Sequence, residues 1–166
     1  MRNVIGNKRS KGCRMSKILF RSLAMTAMLA CATPALAEEA GSAAEAQALV
    51  KKAIAHYKEA GKDKACADFA QAGDYQFKDL YVFVQALDGI MVCHGKNPAL
   101  NGKNLSGLKD SDAKPFVAEF INTVKTKGSG WVDYKWVNAA TKKIEPKSSY
   151  VEGAGDIFIG AGIYKP

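Results

Sequence analysis

Few residues of this sequence have the types and spacing that covalent chemistry requires. Cys93 and His94 are adjacent, as in a c-type haem attachment motif, but that motif needs a second cysteine three positions before Cys93, where Ile90 stands. A Cys–His nucleophilic pair would need the two side chains to meet, whereas neighbouring residues on a strand point to opposite faces. The sequence therefore predicts neither covalent haem nor cysteine-based catalysis.

Metal sites and other catalytic motifs have equally little support. His56 and His94 do not stand at zinc-ligand spacing from the cysteines. Asp110 and Asp112 lack the remaining ligands of a calcium loop and are more typical of a solvated helix start. No phosphate loop, dinucleotide fingerprint or nucleophile elbow is present. We predict no catalytic residue, metal or cofactor; an enzyme that uses His94 with Lys147 is the weakest of the functional alternatives.

Aromatic residues with a few polar neighbours cluster in the C-terminal half. The segment 128–136 holds Trp131, Tyr134 and Trp136. On a strand Tyr134 and Trp136 share one face, and Trp131 lies on the other. Aromatic walls with one or two placed polar groups are typical of a small-molecule pocket. Rings that fill a hydrophobic core give the same pattern, so both interpretations stay open at this point.

The charge distribution removes the main support for a nucleic-acid partner, and we expect none. The sequence has 166 residues with 24 Lys and Arg against 16 Asp and Glu, but seven of the cationic residues lie in the first 37 positions, which contain no acidic residue. Residues 38–166 are nearly neutral and contain no arginine. An anion bound by this part of the chain must therefore be met by lysine, backbone N–H groups or neutral donors.

The first 37 residues have the anatomy of a secretory signal peptide. A basic region precedes an apolar stretch from Leu23 to Cys31, a proline, and small residues that end at Ala37, so we predict cleavage before Glu38. The uncharged run is shorter than a membrane span, and we expect no stable membrane insertion. A retained anchor and a lipidated Cys31 are the alternatives. Translation from Met1 or from Met15 leaves this interpretation unchanged.

Two cysteines remain in the predicted exported chain, 38–166. These are Cys66 and Cys93. Because their number is even and the expected compartment is oxidising, a disulfide between them is possible. The alternative is that each is a small buried apolar residue, as free cysteine often is.

Three helices are predicted from capping signals and apolar periodicity. Ser42 and Glu45 form a capping box before an apolar face that continues to Gly61. A short helix is expected over Asp63–Ala70. A third is expected to begin near Asp112, with Pro115 in its first turn, and to stop before Gly128.

Five strands are predicted around these helices. A hairpin turns at Asp88 and Gly89, and three β-rich segments follow the third helix. Between them lies a Gly/Asn/Pro-rich loop, 95–108, of a length that is often functional. Strands joined mainly by hairpins predict an antiparallel sheet, so we expect an α+β domain with its helices gathered on one side.

Five segments in this order resemble a known family: "DLYVFV", "DGIMVCHGKNPALNGKNLSGLKD", "KGSGWVDYKW", "KIEPKSSYVE" and "IGAGIYK". They resemble the single Cache domain, type 2, a bacterial extracytoplasmic sensor module, over residues 43–165. The resemblance implies a long N-terminal helix packed on a curved antiparallel PAS-like sheet, with a small-molecule pocket on the other side. It implies a ligand such as a small organic acid or amide.

The resemblance also carries candidate ligand-binding residues to this chain. By position these are Tyr81, His94, Trp131, Tyr134, Trp136, Lys147 and Tyr150. We therefore expect a free-standing periplasmic or secreted domain that binds a small carboxylate and acts through a separate membrane receptor or sensor kinase. The alternative is a structural or accessory subunit of an extracytoplasmic complex, with a vestigial pocket.

Overall fold

The computed structural model describes residues 40–165. The predicted signal peptide, 1–37, lies outside the described residues. No helix within residues 40–165 is long and apolar enough to cross a membrane.

The first two helices follow the capping signals. Helix α1 spans Ala43–Ala60, and the Ser42 side chain and the Glu45 carboxylate form the reciprocal hydrogen bonds of a capping box. Gly61 has a positive φ of 77° and lies between α1 and helix α2, Lys62–Phe69. Both predicted helices are confirmed, because the signals that define their ends are local.

Six antiparallel strands form one sheet. They are β1 Gln76–Phe77, β2 Leu80–Ala86, β3 Met91–His94, β4 Ser129–Val137, β5 Ile144–Ala154 and β6 Ile157–Tyr164. The order is β1-β2-β6-β5-β4, and β3 pairs with the later part of β2. The hairpin and the three C-terminal strands are confirmed; β1 was not predicted, because its two residues are too few for a period.

The helices cover both faces of the sheet, so the expectation that they gather on one side is wrong. Helix α1 packs on the face that contains Val82, whereas helix α3, Phe116–Lys127, packs on the face that contains Phe83. The strands are apolar at consecutive positions, so both faces need a cover. Helix α3 also begins later than predicted, because the Asp110 carboxylate accepts hydrogen bonds from the backbone N–H groups of Asp112 and Lys114 and holds that segment in a turn.

A disulfide joins Cys66 of α2 to Cys93 of β3, with 5.8 Å between the Cα atoms. It closes a loop over a sequence separation of 27 and fixes α2 against the strand that ends at His94.

Candidate functional site

A small, mostly apolar cavity lies between the sheet and α3, on the face opposite α1. Its walls come from β2, β3, β4, α3 and the 95–108 loop: Tyr81, Phe83, Gln85, Met91, His94, Leu100, Leu105, Leu108, Phe116, Val117, Phe120, Tyr134 and Trp136. About 20 Å³ is open to the centre of a water-sized molecule, which is room for about one water. In this conformation the cavity suits a very small molecule.

The 95–108 loop lies over the cavity as a lid. The backbone of the β2–β3 hairpin holds it: Leu105 N donates to Gly89 O at 2.8 Å, and Met91 N donates to Lys103 O at 2.9 Å. The loop contributes three leucines to the walls of the cavity. Its backbone is anchored at several points, so the lid is ordered while its side chains exclude water.

Strand β2 places alternate side chains in the cavity. Tyr81, Phe83 and Gln85 line it, while Val82 and Val84 belong to the core beneath α1. The Phe83 ring lies directly on Gly160 of β6, where an added Cβ would come 2.3 Å from Phe83 Cζ. The absence of a side chain at position 160 therefore sets the depth of the cavity floor.

A buried lysine lies behind Tyr81. Lys147 is 1% exposed, and its Nζ donates a hydrogen bond to the Tyr81 hydroxyl at 2.6 Å. The Nζ atom also lies 3.9 Å from the centre of the Tyr81 ring and 4.5 Å from that of Tyr164. Burial lowers the pKa of Lys147 to about 7. Because the Tyr81 oxygen accepts from Lys147, its own O–H can donate to another group, and the neighbouring Tyr164 hydroxyl is one such acceptor.

His94 joins the cavity wall to the lid. Its Nδ1 accepts a hydrogen bond from Asn97 N at 3.0 Å, and its backbone N donates to Asn101 Oδ1 at 3.0 Å. Burial, together with the charge of Lys147, lowers the pKa of His94 to about 4. The imidazole is therefore neutral at neutral pH, and its proton is on Nε2, since Nδ1 is an acceptor. Nε2–H is a hydrogen-bond donor in the cavity wall.

Aromatic stacking fixes the remaining polar rings. The Tyr134 ring lies parallel to Phe116, with 4.5 Å between the centroids, and its hydroxyl pairs with Ser149 Oγ at 3.0 Å. Burial raises the pKa of Tyr134. Trp136 packs edge-on against Phe116 at 5.5 Å. These rings form a rigid wall opposite β2 and β3.

The structure brings four of the predicted site residues into this cavity and separates three others from it. Tyr81, His94, Tyr134 and Trp136 line the cavity. Lys147 does not reach the wall and contacts Tyr81 from behind.

Trp131 and Tyr150 lie on the opposite face, so their assignment to the pocket is corrected. They are cross-strand partners, their ring centroids are 5.6 Å apart, and they pack with the core beneath α1. The reason is the pleat of β4 and β5: Trp131 is an odd number of residues from Tyr134, as Tyr150 is from Lys147.

Several cavity residues were missed from the sequence. Phe83 and Gln85 follow from the alternation of β2 once Tyr81 is placed, so the signal was present. Phe116 and Phe120 were assigned to the buried face of α3, and nothing in the sequence separated a core from a cavity there. Within residues 40–165 no cluster of three or more His, Cys, Asp or Glu side chains has the arrangement of a metal site.

The fold and the cavity agree with a comparison against known families. A model of the single Cache domain 2 matches residues 23–165 of the chain. The chain belongs to this family. The resemblance and the α+β fold with a PAS-like sheet are thereby confirmed. Cache domains of this kind are the sensor domains of chemotaxis proteins and histidine kinases.

Three relatives describe what this Cache domain is similar to. The sensor histidine kinase MctS of Rhizobium johnstonii is 34% identical over 115 residues, which are 65% of this chain and 24% of the kinase, so the chain spans about a quarter of that relative. A periplasmic sensor domain of a chemotaxis protein superposes with a TM-score of 0.61 at 30% identity, covering 72% of this chain and 88% of that one. A Cache chemosensory domain described for carboxylic acid recognition shares the fold, with a TM-score of 0.60 at 24% identity and coverage of 72% and 86%.

Proposed function

We propose that this chain is a periplasmic or secreted sensor domain that binds a small carboxylate in the cavity between β2 and α3, and that it has no catalytic activity. The observation that carries the proposal is the Tyr81 hydroxyl. Its oxygen accepts a hydrogen bond from Lys147 Nζ at 2.6 Å, and Tyr81 lines a mostly apolar cavity. Such a hydroxyl can donate its own proton, and a ligand oxygen in the cavity would compete for it with the neighbouring Tyr164 hydroxyl.

Three groups suit a carboxylate. Tyr81 O–H and His94 Nε2–H are neutral donors in the wall, and Lys147 supplies positive charge from behind the tyrosine. Among the cavity-lining residues there is no Asp or Glu to repel an anion. Because Lys147 contacts Tyr81 and does not line the cavity, its charge would act on the ligand through the Tyr81 hydroxyl and not by direct contact.

The lid gives ligand binding a way to change the structure. His94 donates and accepts hydrogen bonds with the 97–101 segment of the lid. A ligand that bonds to Nε2 would bias the position of the lid as well as that of His94.

We propose that a separate membrane receptor or sensor kinase detects this change in structure, and that the domain is free-standing. An immunoblot of periplasmic and membrane fractions tests the free-standing form: a domain-sized periplasmic protein is expected, and a larger membrane-bound product contradicts it.

Binding is tested by titration calorimetry and thermal shift with residues 38–166 and a panel of carboxylates of two to four carbons. We expect saturable binding and a melting temperature that rises with ligand concentration. Trp136→Ala should weaken binding, because Trp136 lines the cavity, whereas Trp131→Ala, on the same strand but the opposite face, should lower stability without changing affinity. Absence of binding by the whole panel contradicts the proposal.

One observation favours a second candidate, an accessory subunit with a vestigial pocket. The side chains leave only about 20 Å³ of the cavity open to the centre of a water-sized molecule. This candidate predicts no ligand response and a stable complex with another envelope protein. Crosslinking in the periplasm followed by mass spectrometry separates the two functions, because a ligand-independent stoichiometric partner is expected only for the accessory subunit.

A further inference from the structure

Gln85 carries a hydrogen-bonding group that the carboxylate proposal does not use. It lies on β2, lines the cavity and is 1% exposed. Its Nε2 donates to Gly89 O at 2.9 Å. Its Oε1 is buried and has no hydrogen-bond partner, and it is the one side-chain atom within residues 40–165 in that state.

The orientation of the Gln85 amide is fixed by its neighbour. Exchange of its oxygen and nitrogen would place Oε1 against the carbonyl oxygen of Gly89, which already accepts from Leu105 N at 2.8 Å. Two acceptors repel each other, so the nitrogen faces Gly89 and the oxygen stays unpaired. A buried acceptor without a donor is unfavourable, and a ligand that supplies the donor removes that penalty.

We propose that the ligand of this cavity is a small hydroxy acid, whose carboxylate meets Tyr81 and His94 and whose hydroxyl donates to Gln85 Oε1. This inference rests on the proposed carboxylate function. It adds the requirement that the ligand carry a hydrogen-bond donor in addition to its anionic group.

The sheet places the residues that such a ligand would contact close together on one face. His94 is the cross-strand partner of Phe83, and Gln85 is the next residue along β2 on the same face. Same-face neighbours on a strand are about 7 Å apart. That spacing suits a short chain that carries a carboxylate and a hydroxyl. The closed cavity has room for about one water, so a ligand of two to four carbons needs the surrounding side chains to move outward, and a longer chain needs a larger movement.

Two related ligand classes fit less well. A 2-oxo acid offers only acceptor oxygens, so Gln85 Oε1 would stay unpaired and face another acceptor. An amino acid brings an ammonium group, but no Asp or Glu lines the cavity and Lys147 lies behind the wall. A buried ammonium without a carboxylate partner is strongly disfavoured. A neutral hydroxyl meets the requirement without adding charge.

Matched acid pairs test the inference by titration calorimetry on the unaltered domain. The pairs are 2-hydroxypropanoate with propanoate, and 3-hydroxybutanoate with butanoate. We expect the hydroxylated acid of at least one pair to bind about 10-fold or more tightly than its partner, since only it satisfies the buried acceptor. In Gln85→Met, which keeps the length of the side chain, the ratio of the two affinities should fall to about one, whatever the affinity for the plain acid.

The outcomes distinguish this inference from the function on which it rests. Equal binding of hydroxylated and plain acids by the unaltered protein overturns the hydroxy-acid inference and leaves the carboxylate function in place. An undiminished preference in folded Gln85→Met overturns the role of Gln85. Absence of binding by every acid overturns both proposals. The comparison on the unaltered protein remains decisive even where the variant does not fold.

Discussion

Burial lowers the pKa of both basic side chains of the site, Lys147 and His94, to neutral pH or below. Burial lowers the pKa of Lys147 to about 7 and that of His94 to about 4. Neither forms a hydrogen bond with a carboxylate: Lys147 bonds to two tyrosine hydroxyls and His94 to backbone and amide groups. Asp79 acts on Lys147 only through space, so an anionic ligand would add negative charge close to both groups, and carboxylate binding near neutral pH should be accompanied by proton uptake.

Replacing Lys147 with Met should remove a pH dependence of stability that the unaltered protein has. The unfolded chain holds the Lys147 proton up to about pH 10, whereas the folded protein releases it above about pH 7. Below about pH 7 the buried charge lowers the free energy of unfolding by its full penalty. The penalty is lost as the pH rises from about 7 to about 10. Stability relative to Lys147→Met should therefore rise with pH, by at most about 1.4 kcal/mol per pH unit.

Urea unfolding of both proteins between about pH 7 and pH 10 measures this difference. The surface groups titrate alike in the two proteins, so the difference isolates Lys147. Parallel stability curves would show that the lysine titrates as if it were exposed.

At the residue scale the sequence predicted which strand faces carry aromatic side chains, but not which side chains contact one another in the folded protein. The pleat separates Trp131 from Trp136, and that much was readable from their spacing. The burial of Lys147 was not readable, because it depends on Tyr81, which is 66 positions away. A lysine at the start of a predicted strand looks exposed until the partner ring is placed.

At the scale of elements, the floor of the cavity is set where β2 and β6 pair. Phe83 lies opposite Gly160, and its ring occupies the space that a side chain there would need. Gly160→Ala should push the Phe83 ring toward the cavity, abolish ligand binding and destabilise the fold by about 1 to 3 kcal/mol, as overpacking does.

Calorimetry for binding and urea unfolding for stability measure the two effects of Gly160→Ala. A matched control is Trp131→Ala, which should also destabilise the protein, from the α1 side, while binding persists. Undiminished binding by Gly160→Ala would mean that the Phe83 ring does not bound the site.

The disulfide is the second element-scale constraint, since it ties α2 to the strand that carries His94. Replacing both cysteines, Cys66→Ser and Cys93→Ser, should lower the free energy of unfolding by about 3 kcal/mol, because the unfolded chain regains the entropy of an open loop. Urea unfolding with and without reductant measures it: the reductant should destabilise the unaltered protein and leave the double variant unchanged. Equal responses would argue that the thiols are free in the isolated protein.

Local signals explain which elements could be predicted. The capping box of α1 and the turn at Asp88 and Gly89 lie within a few residues of the structure they specify. The placement of α3 across the sheet from α1 depends on packing between distant segments, and the lid acquires its shape from hydrogen bonds to β3. No periodicity in the sequence encodes either of these relations.

At the scale of the whole molecule, the sheet separates two environments. The face beneath α1 is a closed core, whereas the face beneath α3 contains the cavity. Consecutive residues of β2 contribute alternately to the core and to the cavity, so a shift of β2 would move side chains that pack beneath α1. If the cavity binds the proposed ligand, the sheet is the structural link between that ligand and α1 on its opposite face.

The positive charge of the chain is concentrated in a segment that we predict to be removed on export. Seven of the 24 cationic residues lie in positions 1–37, followed by an apolar stretch and small residues at Ala35 and Ala37, a pattern that signal peptidase recognises. The protein recovered from the periplasm should begin at Glu38 and be nearly neutral, as N-terminal sequencing and intact mass will show. Replacing Ala35 and Ala37 with leucine should block cleavage and retain the precursor in the membrane fraction. Periplasmic protein that still begins at Met1 or Met15 would overturn the predicted cleavage, and with it the proposed mature domain.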